Sequence, residues 1–586
     1  MDPTLADAPS PKRLYIWISI LGQCVSRLDK NHAPLVEAIL SLDWAVRDAD
    51  FVDVYIEFLE NLVSAHAFYS VPVMDTIARQ YVYRQTLPSY AQVTRSKIYA
   101  RAHHAVQSVL RLIPTSVNAL HKSLAHMIPY PRQHVAAQAT YAKNILDVSR
   151  YVPYLRKQIL NMLIYQMVKI DSHIQIELDE LEEEVEFHAY SMNFDEEYAS
   201  DSDSDSEDEY DSDDDEPVAE LNREKRTRLV QSMSRKLDAM MLLVFQYLES
   251  YARDADAAER SELYFCLLDI FDHNILRTLK SRYTQFILFY YCSLDANVFA
   301  EHFMQHLIDH IADVNRPRIT RIACAAYMAS YVARAKFLDA SSVQRAVNML
   351  CQWCNQYVNQ FEADIAGPNA AKYDVFYAAM QAIMYIFCFR HQDLLTEGDV
   401  DSLIDEPAAP VQDQYTPLIV VGDQDAQAAA RKWCAGLRSM PRLVMSRYNP
   451  LKMCSPMVVQ QFARLAHQAN FMYVYPILAK NKETVLGVPS ASSADDDQTS
   501  TKVQELLTTV QSFFPFDPYT LESSKSYIDV IYLGWQSGEG ESDSEEDESD
   551  SEDEDDEEDD EDEEEESMRA GITAMSISPS PNHFMV

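Results

Sequence analysis

The sequence predicts an all-α fold, a HEAT-repeat-like α-solenoid with a disordered acidic loop and an acidic C-terminal tail. The first indication is the scarcity of glycine, at 10 of 586 residues, because few turns can then use a positive φ angle and helices should dominate. The second is apolar spacing typical of helices. The third is a series of prolines placed where helices would end.

The helical spacing is clearest after Asp50, a residue suited to the N-cap position. Apolar residues follow it at intervals that place them on one face of a helix, namely Phe51, Val54, Tyr55, Phe58, Leu59 and Leu62. Prolines punctuate the first third of the chain at Pro34, Pro72, Pro114, Pro129 and Pro153. No motif recurs at a fixed spacing, so the repeats should be degenerate. The sequence alone does not separate a HEAT array from another stack of helices.

The formal net charge of −43 is concentrated in two acidic runs. Residues 177–216 hold 21 Asp and Glu, residues 539–566 hold 23, and neither run contains Lys or Arg. Without these 44 acids the charge would be +1. Blocks of like charge repel themselves and stay disordered, so the folded part should be nearly neutral. Nonspecific attraction to DNA phosphates is disfavoured overall, which leaves a local basic patch as an open alternative.

The two runs suggest a domain scheme. A disordered N-terminus, 1–13, precedes N-terminal helical repeats, 14–176, and an acidic disordered loop, 177–220. Larger C-terminal helical repeats, 221–536, follow, with surface loops near 397–425 and 487–503. An acidic disordered tail, 537–586, ends the chain.

Nothing in the sequence indicates secretion or a membrane. The nine cysteines form no spaced framework, which suits a reducing compartment. The stretch LYIWISILGQCV at 14–25 follows Lys12 and Arg13 but lacks a small-residue cleavage site and is too short to span a bilayer. We expect it to be the first buried helix.

Motifs for catalysis are absent from the sequence. There is no phosphate-binding loop, no dinucleotide fingerprint and no G-x-S-x-G elbow. We therefore predict that the protein is not an enzyme and uses no cofactor.

Two patterns resemble metal sites only superficially. Cys351 and Cys354 form a lone CxxC within an apolar helical run, so two buried free thiols are expected. His302, His306 and His310 recur every fourth residue, and without an H-E-x-x-H motif they are interpreted as a row facing solvent or a partner. No metal is predicted at either pattern.

The acidic runs contain serines in the context that an acidophilic kinase prefers. The alternative is that this low-complexity sequence only keeps a linker solvated. Two serines of the tail precede proline, which suits a proline-directed kinase. The phosphorylation candidates are Ser202, Ser204, Ser206, Ser542, Ser544, Ser549, Ser551, Ser578 and Ser580.

A basic cluster follows the first acidic run, at Arg223, Lys225, Arg226, Arg228, Arg235 and Lys236. It could be a nuclear import signal or the polar face of a helix, and the sequence leaves both open.

Six segments resemble the family of RNA polymerase I-specific transcription initiation factors, in the family's order. They are FLENLVSAHAF (58–68), LRLIPTS (110–116), MASYVARAKF (328–337), FYAAMQAIMYIFCFRHQDLL (376–395), YNPLKMCSPMVVQQFARLA (448–466) and FFPFDPYTLESSKSYIDVIYLGW (513–535). The resemblance implies a HEAT-repeat fold and a location in the nucleus and nucleolus. It also implies a factor that binds the stalk side of RNA polymerase I and bridges it to the promoter-bound core factor on ribosomal DNA.

The same resemblance implies regulation by kinases and a polymerase-binding patch of hydroxyl side chains on the N-terminal repeats. Carried onto this sequence, the patch is Thr115 and Ser116 in IPTS, with Ser64, Ser70 and Ser123 assigned because they are near in sequence. Any one of them could instead be an ordinary cap or surface residue. DNA contact should be indirect or weak at most, since Arg334 and Lys336 of ARAKF are only two basic residues.

Composition alone supports a second class of function. Acidic blocks are frequent in helical-repeat nuclear transport or chaperone-like adaptors, which use them to bind basic proteins.

Overall fold

The computed structural model describes residues 9–198 apart from Gln92, and then 216–278, 281–365, 367–396, 433–486 and 514–534. Its α-helices are α1 Pro11–Gln23, α2 Ala33–Leu40, α3 Ala49–Ala65, α4 Ser70–Ala78, α5 Arg95–Leu112, α6 Val117–His126, α7 Val135–Tyr151, α8 Arg156–Tyr198, α9 Glu216–Asp254, α10 Ala257–Ile270, α11 Phe286–Ser293, α12 Glu301–Ala312, α13 Arg318–Arg334, α14 Ala340–Phe361, α15 Asp374–Arg390, α16 Met440–Val444, α17 Pro450–Met453, α18 Pro456–Gln468, α19 Tyr475–Leu486 and α20 Ser526–Asp529.

Shorter helical turns connect many of these helices. The 3-10 turns are Val25–Arg27, Lys30–His32, Ala67–Tyr69, Arg79–Tyr81, Pro114–Ser116, Pro153–Leu155, Glu362–Asp364 and Gly436–Ser439, and the π-helical turns are Phe271–Ile275 and Ala296–Ala300. In these described ranges, β pairing is limited to the isolated bridges Ala335–Tyr532 and Leu395–Trp433. The predicted all-α, solenoid-like fold is confirmed.

Helix α3 shows how the local sequence produces an element. Its apolar stripe is buried, with Tyr55, Leu59 and Leu62 fully shielded from solvent. The N-cap is Asp48, whose carboxylate accepts the Phe51 N–H at 3.2 Å. The expectation of a cap at Asp50 was wrong because the helix starts two residues earlier, so Asp50 lies in its first turn.

Two compact units make up the chain. The first comprises the residues up to Asn274 together with Leu521–Ser524. Within it α3, α5 and α7 pack side by side in one row, α4, α6 and α8 form a second row, and α9 packs against α7 and α8.

The second unit comprises the residues from Ile275 apart from Leu521–Ser524. Its central element is α15, which packs against α13, α14 and α18. Because α15 is apolar around its whole circumference, it is buried at nearly every position. The aromatic string near residue 515 also belongs to this core, where the Phe514 ring stacks on Tyr385 with centroids 4.5 Å apart.

The first acidic run connects two helices of the same unit. Helix α8 continues to Tyr198 and α9 begins at Glu216, and the two helices pack against each other. The run therefore does not separate two structural units, and the boundary between units falls after Asn274. The predicted disorder of the acidic loop is wrong for residues 177–198 and 216–220, which are helical and belong to α8 and α9. The expected loops near 397–425 and 487–503, residues 199–215 of the acidic loop and the whole tail 537–586 lie outside the described residues.

The apolar stretch near the N-terminus forms α1, of which only one face is buried. Leu14 and Ile18 face the core, whereas Trp17 and Ile20 are about half exposed, at 50% and 54%. Among the helices described here, none is both long and apolar enough to cross a membrane.

Candidate functional site

Three corners of the first unit are built in the same way. At each corner a helix ends on a residue that leaves the helical region, namely His66, Ile113 or Val152. Each of these residues donates its N–H to the carbonyl four residues earlier, at 2.9 Å in all three cases. A 3-10 turn of three residues follows and runs directly into the next helix. Such a recurring corner is typical of a helical repeat.

The packing order places the three corners along one edge. Helices α3, α5 and α7 neighbour one another, and so do α4, α6 and α8. Arg101, in the first half of α5, donates to backbone carbonyls just before α3, and Arg95 and His134, at the starts of α5 and α7, both lie against the Tyr83 ring. The three helices therefore run in the same direction, and the α3–α4, α5–α6 and α7–α8 connections lie at the same end of the rows. We call residues 64–71, 112–117 and 152–157 the corner edge.

Three of the five predicted hydroxyl residues lie on this edge at or near the surface. Ser64 and Thr115 are exposed, and Ser70 is half-buried with its hydroxyl donating to the Ala67 carbonyl at 2.7 Å. The other two are buried, with Ser116 only 2% and Ser123 only 1% exposed. The Ser123 hydroxyl donates to the Ala119 carbonyl at 3.0 Å. Because buried hydroxyls cannot touch a docked protein or reach a kinase, only Ser64, Ser70 and Thr115 fit a surface patch.

Large apolar side chains accompany these hydroxyls, and the sequence interpretation missed them. Phe68, Leu112 and Tyr154 are 44%, 50% and 85% exposed, one at each corner. Val71 adds a smaller exposed group beside Phe68. The available signal was an apolar residue at a helix end or in a short turn between two amphipathic helices. Exposed apolar groups repeated along one edge indicate a protein-binding surface.

Basic side chains border the corner edge. The Lys30 ammonium lies 5.5 Å from the centre of the Phe68 ring. The Arg156 guanidinium lies 4.5 Å from the Tyr251 ring centre and also donates to its hydroxyl at 2.9 Å. Burial raises the pKa of Tyr251, which keeps its phenol neutral. The exposed hydroxyls are thus set among apolar and basic groups, where an added phosphate would change the local charge.

The sequence profile for "RNA polymerase I specific transcription initiation factor RRN3" matches residues 1–540. The chain belongs to this family. The chain is 32% identical over 538 residues to "RNA polymerase I-specific transcription initiation factor rrn3" of Schizosaccharomyces pombe, covering 91% of this chain and 82% of that protein. The protein from Mus musculus with the corresponding name is 28% identical over 551 residues, covering 92% of this chain and 77% of the mouse protein.

Structural comparison agrees on the fold. The solved structure "Crystal Structure of RNA Polymerase I Transcription Initiation Factor Rrn3" superposes with a TM-score of 0.68 at 24% identity, covering 91% of this chain and 92% of the other. Members of the RRN3 family are transcription initiation factors and not enzymes, which confirms the predicted role in transcription initiation and the prediction that the protein is not an enzyme. An initiation factor for RNA polymerase I acts in the nucleus.

The lone CxxC of this initiation factor is buried. Cys351 and Cys354 are free thiols without exposed surface, and burial raises the pKa of each. Since thiolates are the form that ligates metals or attacks substrates, both thiols are held in their inert state. The expectation of two buried free thiols is confirmed.

The row of histidines on α12 does not face solvent along its length. His302 is exposed, but His310 is only 5% exposed, with its ring centre 4.0 Å from that of His306. The expected solvent-facing row was wrong for His310, because residues four apart advance by about 40° around a helix and the row turns toward the core.

Two basic features also differ from expectation. Arg334 is only 1% exposed and stacks on Phe389 at 4.3 Å, so of the two ARAKF residues only Lys336 could reach DNA. In the basic cluster of α9, Lys236 is buried and donates to the Pro131 carbonyl at 3.2 Å. The remaining members of the cluster are more exposed, so a nuclear import signal and the polar face of a helix both stay open.

All nine phosphorylation candidates lie outside the described residues.

Proposed function

We propose that this initiation factor binds RNA polymerase I through the corner edge, on the stalk side of the polymerase. The proposal includes a bridge to the promoter-bound core factor on ribosomal DNA in the nucleolus. The observation that carries it is the alignment of three like corners, each presenting an exposed apolar side chain, Phe68, Leu112 or Tyr154. Such residues are the usual anchors of protein interfaces.

The three hydroxyls that lie at or near the surface are the groups through which polymerase binding would be regulated. Ser64, Ser70 and Thr115 are neutral groups beside these apolar anchors. Each phosphate added by a kinase would bring roughly −1.5 to −2 charges into an interface shaped for neutral groups. Phosphorylation of the corner edge would therefore weaken polymerase binding.

The docking proposal is tested by truncating one anchor. We expect Tyr154→Ala to weaken binding to purified RNA polymerase I by roughly tenfold, the effect of losing a central aromatic contact. The matched control is Tyr130→Ala, because Tyr130 is 77% exposed in the α6–α7 connection, away from the corner edge. Equal binding by the two variants would exclude the corner edge as the docking surface.

The regulatory part has its own variant in the same binding assay. Thr115→Glu should lower affinity, whereas Ser41→Glu should not. Ser41 is a suitable control because its hydroxyl is exposed and donates to the Ala38 carbonyl at 2.8 Å, far from the corners in sequence. A loss of affinity with Tyr154→Ala but none with Thr115→Glu would keep the docking site and reject the switch.

A further inference from the structure

Two segments of the second unit contain no carboxylate at all. Neither 340–361 nor 433–482 contains Asp or Glu, in a chain that has 92 of them. Together the segments carry eight cationic side chains, all exposed. These are Arg345, Arg438, Arg442, Arg447, Lys452, Arg464, Lys480 and Lys482. Such a local excess of positive charge in an acidic protein indicates a surface for a polyanion.

Hydrogen bonds join the two segments into one fixed surface. The Gly436 N–H donates to the Asn348 side chain at 2.6 Å, and the Asn355 amide donates to the Ser439 hydroxyl at 2.6 Å. A Cβ at Gly436 would lie 2.9 Å from the Asn348 backbone, so only glycine allows this approach.

The exposed residues at this junction form what we call the arginine face. Its members are Gln352, Gln356, Asn359, Arg438, Arg442 and Arg447, together with Lys452 of α17, a helix that packs against α16. Arg438 and Arg442 are four residues apart across the short helical segment 436–444, and the Arg442 guanidinium donates to Asn359. Among the ion pairs of the described residues, none includes the four cations of this face. Glu362 borders it, accepting the Arg447 backbone N–H at 2.9 Å.

We propose that the acidic tail, residues 539–566, binds the arginine face of its own chain. The tail follows Gly534, the last described residue, in the same unit. Leu533 donates its N–H to the Arg334 carbonyl at 2.8 Å, at the end of α13. Arg390 links this point to α15, and just beyond α15 the Leu394 carbonyl accepts the Cys434 N–H at 3.0 Å. The described chain therefore ends near the start of the segment 433–482.

The tail is favoured over other polyanions by charge and by its covalent tether. It holds 23 acids in 28 residues and, when extended, can reach about 90 Å. A flexible tether gives a second site an effective concentration in the millimolar range. A free nucleic acid must in addition approach a chain with a net charge of −43. Tail binding would cover the arginine face until a competing polyanion displaces it.

The first test uses a labelled peptide of residues 539–566 and the full chain lacking those residues. We expect the truncated chain to bind the peptide with an affinity that falls as salt is added. The pair Arg438→Glu and Arg442→Glu should weaken binding at least tenfold. The complete chain should also bind at least tenfold more weakly, because its own tail occupies the face. Control reversals at Arg27 and Arg111, two exposed arginines of the first unit, should leave binding unchanged.

A second measurement uses the unmodified chain and does not depend on any variant. Carbodiimide joins lysine amines to carboxylates, and the tail has no lysine. In monomeric cross-linked protein, we expect Lys452 to couple to tail peptides more often than Lys372, an exposed lysine outside the face. The proposal is overturned if the reversed pair binds the peptide normally, or if the complete chain binds it as tightly as the truncated one. Binding of duplex DNA without binding of the peptide would also overturn it, in favour of a nucleic-acid surface.

Discussion

One carboxyl group, that of Asp517, lies in the aromatic core, where burial disfavours its ionised form. Asp517 lies in the string FFPFDPY, and its Oδ1 atom is buried without a hydrogen-bond partner among the described residues. Burial raises its pKa from 3.8 to about 7, although the charges of Arg282 and Arg334 oppose the rise. Between about pH 4 and pH 7, the Asp517 carboxyl is therefore protonated in the folded protein but ionised in the unfolded chain.

The sign of the pH dependence follows from this difference. As pH rises from about 4 to 7, the free energy of unfolding falls, because the Asp517 carboxyl ionises more readily in the unfolded chain than in the folded protein. The variant Asp517→Asn has no carboxyl at this position and should not show this loss of stability. We expect the variant to gain on the order of 2 kcal/mol relative to the native chain between pH 5 and pH 7.5, less than the full shift because the residue is partly exposed. Urea unfolding at the two pH values measures the gain.

The control for this prediction is another aspartate in the same described range, 514–534. Asp529→Asn alters an exposed carboxyl on α20, so its effect should be small and nearly the same at both pH values. A constant difference between Asp517→Asn and the native chain from pH 5 to pH 7.5 would contradict the assignment.

For single residues, the sequence shows which side chains are polar but does not predict which of them are buried. Ser116 and Thr115 are adjacent in IPTS, yet one is buried and the other exposed. His310 and Arg334 likewise lie in the core although their side chains are polar. Burial of such groups depends on helices that are distant in sequence, and no local pattern records which helices pack on them.

A buried arginine at the end of α15 binds the backbone carbonyls at the end of α13. The Arg390 guanidinium donates to the carbonyls of Ala335 at 2.9 Å and Leu338 at 2.8 Å, and its Nε pairs with Asp393. The last carbonyls of a helix lack partners within it and attract positive charge. One side chain thus satisfies the carbonyls that follow α13 and fixes α15 against it.

Removing this side chain should destabilise the second unit. We expect Arg390→Ala to lower the free energy of unfolding by about 3 kcal/mol, because buried carbonyls lose a charged donor. Arg390→Lys should lose less, since it keeps the charge but not the forked geometry. Arg316→Ala, which breaks only the exposed pair with Asp313, should cost under about 0.5 kcal/mol. Thermal unfolding of the three variants gives their order of stability. If Arg390→Lys were as unstable as Arg390→Ala, the positive charge at this position would contribute little to stability.

The elements were more predictable than their ends. The stripe of α3 follows directly from 3.6-residue spacing, and the continuous apolar run of α15 marks a buried helix. The corners were only partly predictable: IPTS and VPYL share a branched aliphatic residue followed by proline, which marks a helix end, but HAFY has no proline although it folds into the same 3-10 turn. Their likeness lies in backbone geometry.

The two acidic runs belong to different structural units. The first joins α8 to α9 inside one unit, whereas the second follows the last described residue of the other unit. Composition revealed both runs and the near-neutral remainder. It could not show that the unit boundary falls elsewhere, because that depends on α9 packing against α7 and α8.

A short C-terminal segment is anchored to the first unit by one carboxylate. Asp238 of α9 is only 7% exposed and accepts the N–H groups of Ser523 at 2.8 Å and Ser524 at 2.9 Å, as well as the Ser524 hydroxyl at 2.6 Å. Hydrogen bonds to a buried charge are worth roughly 1.5–3 kcal/mol each when both partners are present. This cluster therefore determines whether Leu521–Ser524 stays with the first unit.

Asp238→Ala should release this segment without unfolding the helices around it. Trypsin cleavage after the adjacent, exposed Lys525 should then accelerate by about tenfold or more, because proteolysis follows the population of the locally open form. Asp254→Ala, at the exposed end of the same helix, is the matched control and should leave the rate unchanged. Mass spectrometry of the digest identifies the cut. Equal rates in the two variants would mean that packing around Leu521, and not the Asp238 carboxylate, holds the segment in place.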